Sequence, residues 1–516
     1  MHNDSFANVD AGLPASEQSI PEGVSRWEII KKFLFVGSPL MVANIAQFSI
    51  NTLVISVIGR NFGVEELGGA SLALGMLNAT AFAFAAGLCG ALETVLSHTY
   101  GMFQSRCEGL GTIHLYGTYV QRMAIILLFV SIPLGAMVIY IDLFLEFIGQ
   151  NANVVYFTGR FCRIAAFGIP CTLFFQLIHR YYSCQHDTKP LSLAMLVASV
   201  LNPIMQVLFI NLFGFDGSAI AWVLLYLLTD AGLLAHTVFS GQYVKLWGGW
   251  DDNSCKNIIP LLNLAIPSMA IMLSEWVLLE IIIACAGFAP SPDLAAFSIT
   301  VQVFTICWGI TSGTIVITSV FIGNAVGERK PMLAKRISNV AIAVVFVTSL
   351  IDITLCYLLE DYIPTLFTKD EEVGRIYRQL MRFVFPYHVV DSFQSTVMSI
   401  LRGCGLQKAG ALVIGITLCV IGAPLAFFLF FYMKWGVQSL WIGPFCGVLF
   451  FGLPLYIYIL YWYVDWSKIE PKNEDTSYLV EEEVQQFNDY GKTKTASDDA
   501  GGECMPVVRA CSTASN

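Results

Sequence analysis

Long apolar runs separated by short polar segments recur along the chain from about residue 33 to residue 463. Twelve of them stand out, near 33–59, 69–92, 120–142, 158–180, 190–213, 217–239, 258–287, 294–323, 336–359, 376–401, 409–432 and 436–463. Each can supply the roughly 20 residues that a helix needs to cross a hydrocarbon core. A lipid-facing backbone must satisfy its own N–H and C=O groups, and a barrel would show short alternating segments instead of long runs. The predicted fold class is all-α: a polytopic membrane protein with twelve transmembrane helices.

The pattern also repeats. PLMVANIAQFSINTLVISVIG at 39–59 can be laid on PSMAIMLSEWVLLEIIIACAG at 267–287, with proline and glycine at matched ends. Leu67 and Ser71 then match Leu294 and Ser298, Arg180 and Gln185 match Arg402 and Gln407, and Gly214 matches Gly436. The expected organisation is an N-terminal tail (1–30), a first six-helix lobe (31–240), a linker (241–257), a second lobe (258–465) and a C-terminal tail (466–516). Six helices per copy is an even number, so both copies start on the same side of the membrane. Parallel repeats of this kind form pseudo-symmetric bundles around a central cavity and can rock to open it on alternate sides.

Composition agrees with the membrane assignment. The 516 residues are 56% hydrophobic and only 13% charged, against roughly 25% charged in a soluble domain, and the mean hydropathy is +0.66. Most loop Lys and Arg fall on the side holding both termini, led by ERKPMLAKR at 328–336, which predicts cytosolic ends. Lys369, Arg375, Arg378 and Arg382 in and after the ninth loop weaken that bias without reversing it. Residues 1–25 are polar, so no cleavable signal is expected. Part of the formal charge of −10 comes from the acidic segment after residue 473, which has a disordered composition. The 14 cysteines are scattered, without a CxxC or Cys/His cluster, so packing roles are expected and a metal site is not.

Against this background a few polar residues carry the candidate chemistry. Glu275 and Glu280 lie in LSEWVLLEIIIACAG, inside the otherwise apolar run Leu261 to Gly287. An acid at mid-bilayer costs about 2.5–3.5 kcal/mol on translocon scales, so such residues usually face a polar path. The two are about 140° apart around a helix, flanking one broad face, and Trp276 lies beside the first. The repeat places Gln47 opposite Glu275 and Thr52 opposite Glu280, which segregates the carboxylates into the second half. Asp391, with His388 one turn earlier and Pro386 expected to loosen the helix, forms a second group in FVFPYHVVDSFQSTVMSILRGCG. For each acid the competing reading is a structural hydrogen bond, and for His388 a satisfied interior imidazole. Glu93 is either a cavity acid or a brace near a helix end. Arg180, Lys189, Arg402 and Lys408 fall near helix ends, where snorkelling to headgroups accounts for them. Some aromatic residues are expected to line the cavity, where they stabilise an organic cation.

These groups suit a coupled exchanger. Burial disfavours the ionised form of a carboxyl group, so a cavity acid can take up a proton on one side and release it on the other. Proton and cationic solute then compete for one negative charge, and this biases two bundle orientations. No GxxxxGK[ST] segment is present, which argues against a primary pump. No nucleophile constellation suggests an enzyme.

Together, PLMVANIAQFSINTLVISVIG followed by LGGASLALG, GALETVLSHTYG, FIGQNANV at 147–154, LAIPSMAIMLSEW and LRGCGLQKAGA at 401–411 resemble the multidrug and toxic compound extrusion transporters, in their eukaryotic branch, over about residues 39–460. The resemblance implies a two-lobed, twelve-helix exporter that exchanges protons, or sodium in some relatives, for organic solutes. It makes Glu275 the acid before Trp in the seventh span. It matches Glu280, Asp391 and His388 to acids and a histidine of animal-type or eukaryotic members. Ala295 and Gln302 stand where plant-type and animal-type members respectively carry an acid, so one family acid is absent. The first span has Asn44, Gln47 and Asn51 in place of a bacterial-type Asp, and a first-lobe ion site is not expected.

The resulting expectation is proton-coupled efflux of small cationic or amphipathic organic compounds. The proton-coupling or substrate-binding candidates are Glu275, Glu280, Asp391, Gln302, Gln47, Asn51, His388 and Trp276. No cofactor beyond the coupling ion is expected, and the expected partners are an organic substrate and the lipid bilayer, with no nucleic acid. The protein is expected to act as a monomer, in the plasma membrane rather than a vacuolar or vesicular one. The alternatives are export of organic anions or lipid-linked substrates and, in a different class, a channel or receptor.

Overall fold

A computed structural model of the protein describes residues 24–105, 110–147, 149–241, 246–247, 249–250, 252–256, 258–367 and 370–471. The segment after residue 471, most of the N-terminal tail and parts of the linker lie outside the described residues.

Twelve long helical elements follow one another among the described residues. In the first half they are α1 (Arg26–Asn61), α2 (Val64–Leu77, a π-turn at Asn78–Phe82, then Ala83–Ser105), α3 (Leu110–Ile139), α4 (Ala152–Ala165, a 3-10 turn, then Ile169–Cys184), α5 (Lys189–Phe213) and α6 (Phe215–Phe239). In the second half they are α7 (Ile258–Ala286), α8 (Ser291–Gly327), α9 (Pro331–Leu358), α10 (Glu371–Gly403), α11 (from Gln407 through Tyr432) and α12 (from Ser439 through Tyr463), the last two interrupted by π-turns.

Eleven of these elements are long and apolar enough to span a membrane. The exception is α10, which has the length but carries charge at both ends and Tyr387, His388, Asp391, Ser392 and Gln394–Thr396 within it. Its polar side chains are mostly buried, so it is an interior helix and needs less apolar surface. Pro386 does not break it, for α10 runs without interruption from Glu371 to Gly403. Outward-facing positions on the other helices, such as Phe129, Ile132, Val200 and Phe450, are exposed and apolar, as a lipid-facing surface requires.

The two halves meet where α7, α8 and α10 pack on α1 and α2. Glycine allows this closeness: a Cβ on Gly87 would fall 2.5 Å from the Met269 Cα, and one on Gly313 would fall 2.6 Å from the Met41 backbone nitrogen. Helices in lipid gain association energy from such close backbone contact, because apolar burial no longer drives it. Polar stitches add to it. Thr94 Oγ1 donates to the Arg402 carbonyl (2.7 Å) and His98 Nε2 to the Gly403 carbonyl (2.8 Å). These bonds tie α2 to carbonyls at the C-terminal end of α10.

Candidate functional site

Two adjoining cavities occupy the interior, and Glu275 of α7 stands on the wall of both, together with Trp276 and Trp308. The first has about 620 Å³ of empty space and is built entirely by the second half. Asp391 and Tyr387 come from α10, Phe304 and Thr305 from α8, and Trp441 and Pro444 from α12. Its walls are an aromatic box, in which Phe304 stacks on Tyr387 at 5.5 Å and Trp441 lies 5.3 and 5.7 Å from those rings. Trp441 is fixed by its indole N–H, which donates to Thr300 Oγ1 at 3.2 Å.

The second cavity, with about 720 Å³ of empty space, lies between the halves. Asn44, Gln47 and Phe48 of α1, Gln176, His179 and Arg180 of α4, Ser312 of α8, and Ser395 and Arg402 of α10 face it. Trp276 forms its border with the first cavity. Phe48 stacks on that indole at 5.9 Å, and Phe82 and Trp308 close on it at 5.7 and 5.8 Å. Asn44 Nδ2 donates to Ser312 Oγ at 2.8 Å, tying α1 to α8 across the cavity wall.

Of the sequence candidates, the structure brings together Glu275, Trp276, Asp391 and Gln47. The others stand apart. Glu280 does not join Glu275, because the two are far enough around α7 to meet different neighbours. Its carboxylate abuts Gly75 of α2, 2.9 Å from where a Cβ would sit, and it lies on neither cavity wall. Gln302 accepts a hydrogen bond from Thr52 Oγ1 at 3.2 Å and so links the halves. Asn51 is engaged with Asn78 (3.2 Å) and with the Trp222 indole (3.4 Å). His388 turns away from the cavities toward Asp352 of α9, with 3.5 Å between Nε2 and Oδ2.

Three features were missed or misread from sequence. Asp352 and Asp230 are buried acids within apolar spans, 3% and 4% exposed, and the signal that singled out Glu275 was equally present at both. Asp230 faces an apolar crevice in the first half with both carboxylate oxygens unpartnered, so acids are not confined to the second half. Arg180 and Arg402, assigned to snorkelling, are buried. Arg180 Nη1 lies 2.6 Å from Glu93 Oε1, and Arg402 Nη1 donates to Glu93 Oε2 at 2.9 Å. Glu93 is fully buried and sits well inside α2, which continues to Ser105, beyond the expected span end. Lys189 and Lys408 are exposed, as helix-end lysines should be.

The family model described as MatE matches residues 39–208 and again 267–428. The two matched segments begin at the prolines that mark the internal repeat. The chain is 28% identical to the "Multidrug and toxin extrusion protein 1" of Danio rerio over 441 residues, covering 85% of this chain and 73% of that protein. It is 26% identical to "Protein DETOXIFICATION 16" of Arabidopsis thaliana over 464 residues, covering 89% of this chain and 94% of that protein. Among solved structures it superposes on the eukaryotic MATE transporter AtDTX14 with a TM-score of 0.79 at 22% identity, covering 86% of this chain and 97% of that one. A MATE family transporter in an outward-facing conformation gives 0.72 at 19% identity, covering 83% and 94%. These likenesses show a shared fold.

Proposed function

The chain belongs to the MatE family, and from that premise we propose that it is a secondary active exporter, exchanging protons for small cationic or amphipathic organic solutes by alternating access. The observation that carries this reading is Glu275 on the shared wall of two cavities, with Asp391 facing the first across an aromatic box. A cation over aromatic faces gains up to about 2 kcal/mol when desolvated, and an ionised carboxylate adds Coulomb attraction. When the same carboxylate takes up a proton, that attraction is lost and the solute is released. Export follows if protonation occurs from the outer side. A sodium ion could couple in the same way, but a sodium site needs several oxygen ligands, whereas a proton needs only one acid.

In this reading both termini are cytosolic, the protein acts as a monomer in the plasma membrane, and the coupling ion is its only cofactor. The deciding experiment is pH-driven uptake of a labelled organic cation into inside-out vesicles. Glu275→Gln keeps the shape and removes the exchangeable charge, so it is expected to lower uptake at least tenfold. Undiminished uptake would remove Glu275 from the mechanism, and uptake driven by a sodium gradient alone would replace the coupling ion.

A further inference from the structure

Two cysteines that the sequence left as packing residues meet across a helix pair. Cys307 of α8 and Cys356 of α9 are 49 residues apart, yet their Sγ atoms lie 3.4 Å from each other. Both are free thiols. A disulfide holds its sulfurs at about 2.05 Å, so an approach of about 1.4 Å turns this contact into a bond.

Exposure divides the roles of the two. Cys307 is buried, whereas Cys356 is half-buried. The neighbouring positions Ile306 and Leu355 are apolar and exposed, as on the lipid-facing surface elsewhere. An apolar oxidant therefore reaches Cys356 first from the bilayer, with Cys307 behind it as a resolving thiol. Asp352, one turn before Cys356 on α9, interacts electrostatically with both thiols and faces His388 of α10 at 3.5 Å. The thiolate is the reacting form of a cysteine, and this carboxylate–imidazole pair can accept the thiol proton.

The pair also stands directly behind the aromatic box. Phe304, Thr305 and Trp308, all within one turn of Cys307, line that cavity. The Phe304 ring meets His388 edge-on at 5.9 Å. A covalent tie between α8 and α9 at this level fixes the wall of the box against the helix outside it.

We propose that Cys307 and Cys356 are a redox modification site, which an organic hydroperoxide in the bilayer converts to a disulfide that pins the wall of the aromatic box. The hydroperoxide transfers one oxygen to the Cys356 sulfur, giving a sulfenic acid, and departs as the alcohol. The Cys307 sulfur then attacks the sulfenic sulfur, so that the S–S bond forms and the oxygen leaves as water. Two thiols and one hydroperoxide thus give one disulfide, one alcohol and one water, with two electrons passing from the sulfurs to the O–O bond. The cross-link stands on its own geometry, while its effect on transport rests on the transport reading.

The test treats full-length protein in proteoliposomes with cumene hydroperoxide and maps its cysteines by mass spectrometry. A Cys307–Cys356 linked peptide that dithiothreitol reverses is expected. Uptake of a labelled organic cation driven by a pH gradient should fall at least threefold and recover with dithiothreitol. Cys307→Ser removes the resolving thiol, so dimedone should trap a sulfenic acid at Cys356, whereas Cys356→Ser should show no trapping at Cys307. Both serine variants should transport as wild type does and be insensitive to the treatment. Failure to form the linked peptide in the wild type, trapping at Cys307 in place of Cys356, or an equal loss of uptake in the serine variants would overturn the site. Hydrogen peroxide is the water-side comparison, and faster cross-linking by it at equal concentration would overturn the bilayer route. A linked peptide with undiminished uptake overturns the hold on the box. A linked peptide in protein that shows no gradient-driven uptake before treatment overturns the transport reading alone.

Discussion

Glu93, Arg180 and Arg402 show what a single chain of residues conceals at the residue scale. Arg180 and Arg402 were matched by the internal repeat, yet their place near helix ends suggested surface roles. What decides otherwise is a carboxylate that is 309 residues from Arg402 in sequence and 2.9 Å away in space. Removing one member of a buried ion cluster leaves the others uncompensated, at roughly 3–5 kcal/mol. Glu93→Gln strands two guanidiniums and is expected to lower unfolding stability by about that amount, as read from thermal melting in detergent. Glu93→Gln/Arg402→Met has one buried charge fewer and should melt above Glu93→Gln. A neutral effect of Glu93→Gln would show that the cluster is solvated in the membrane-bound protein. The cavity acids were easier to see. Glu275 and Asp391 each break an apolar run, and that cost alone marks them. At Glu280 and His388 the sequence did not show which side chains would lie beside them, because sequence distance fixes an angle around a helix and not the neighbour met at that angle.

Among elements, α10 and α8 illustrate two kinds of legibility. Length and apolar content marked nearly every helix, since the bilayer sets both. The expected run 376–401 falls inside α10 even though its polar interior makes it the least lipid-like element. Helix ends were less legible: α8 begins at Ser291 and ends at Gly327, outside the expected 294–323, and the added turn holds Asn324, bonded to His186 at 2.7 Å. Close helix contacts were hidden because a glycine does not name its partner. On α8, Gly313→Leu would push a side chain against the Met41 backbone, which cannot yield as a flexible side chain would. We expect α1 and α8 to separate, with loss of the monodisperse peak in size-exclusion chromatography. Gly135→Ala on α3 is the contrast, for nothing lies within 4 Å of its added carbon. That change should leave stability within about 1 kcal/mol of wild type. Equal tolerance of both would mean the α1–α8 contact is looser than its geometry.

At the scale of the whole molecule, the repeat was legible as far as prolines and glycines recur, and the twofold match of one family model begins at the same two prolines. The seam that such rocking would open was not legible, because which helices of the two halves touch depends on the packing. Here α2 lies against α7 and the end of α10, on the side from which α1 and α7 start. If the halves rock, this seam must open in each cycle. Gly90 and Ser268 face each other across it, and a Cβ on Gly90 would lie 3.2 Å from the Ser268 Cβ. Disulfides hold their Cβ atoms about 3.5–4.5 Å apart, so Gly90→Cys/Ser268→Cys needs only a small adjustment to close. In a Cys307→Ser background, oxidation of that pair is expected to arrest transport in proteoliposomes, and dithiothreitol to restore it, while neither single variant should respond to oxidant. Transport that continues at full rate through a formed cross-link would mean that the seam between α2 and α7 stays shut throughout the cycle. Solute would then have to pass by bending of helices within one half, and Glu275, which stands on α7 itself, would move with the bending helix instead of waiting between two rigid bodies.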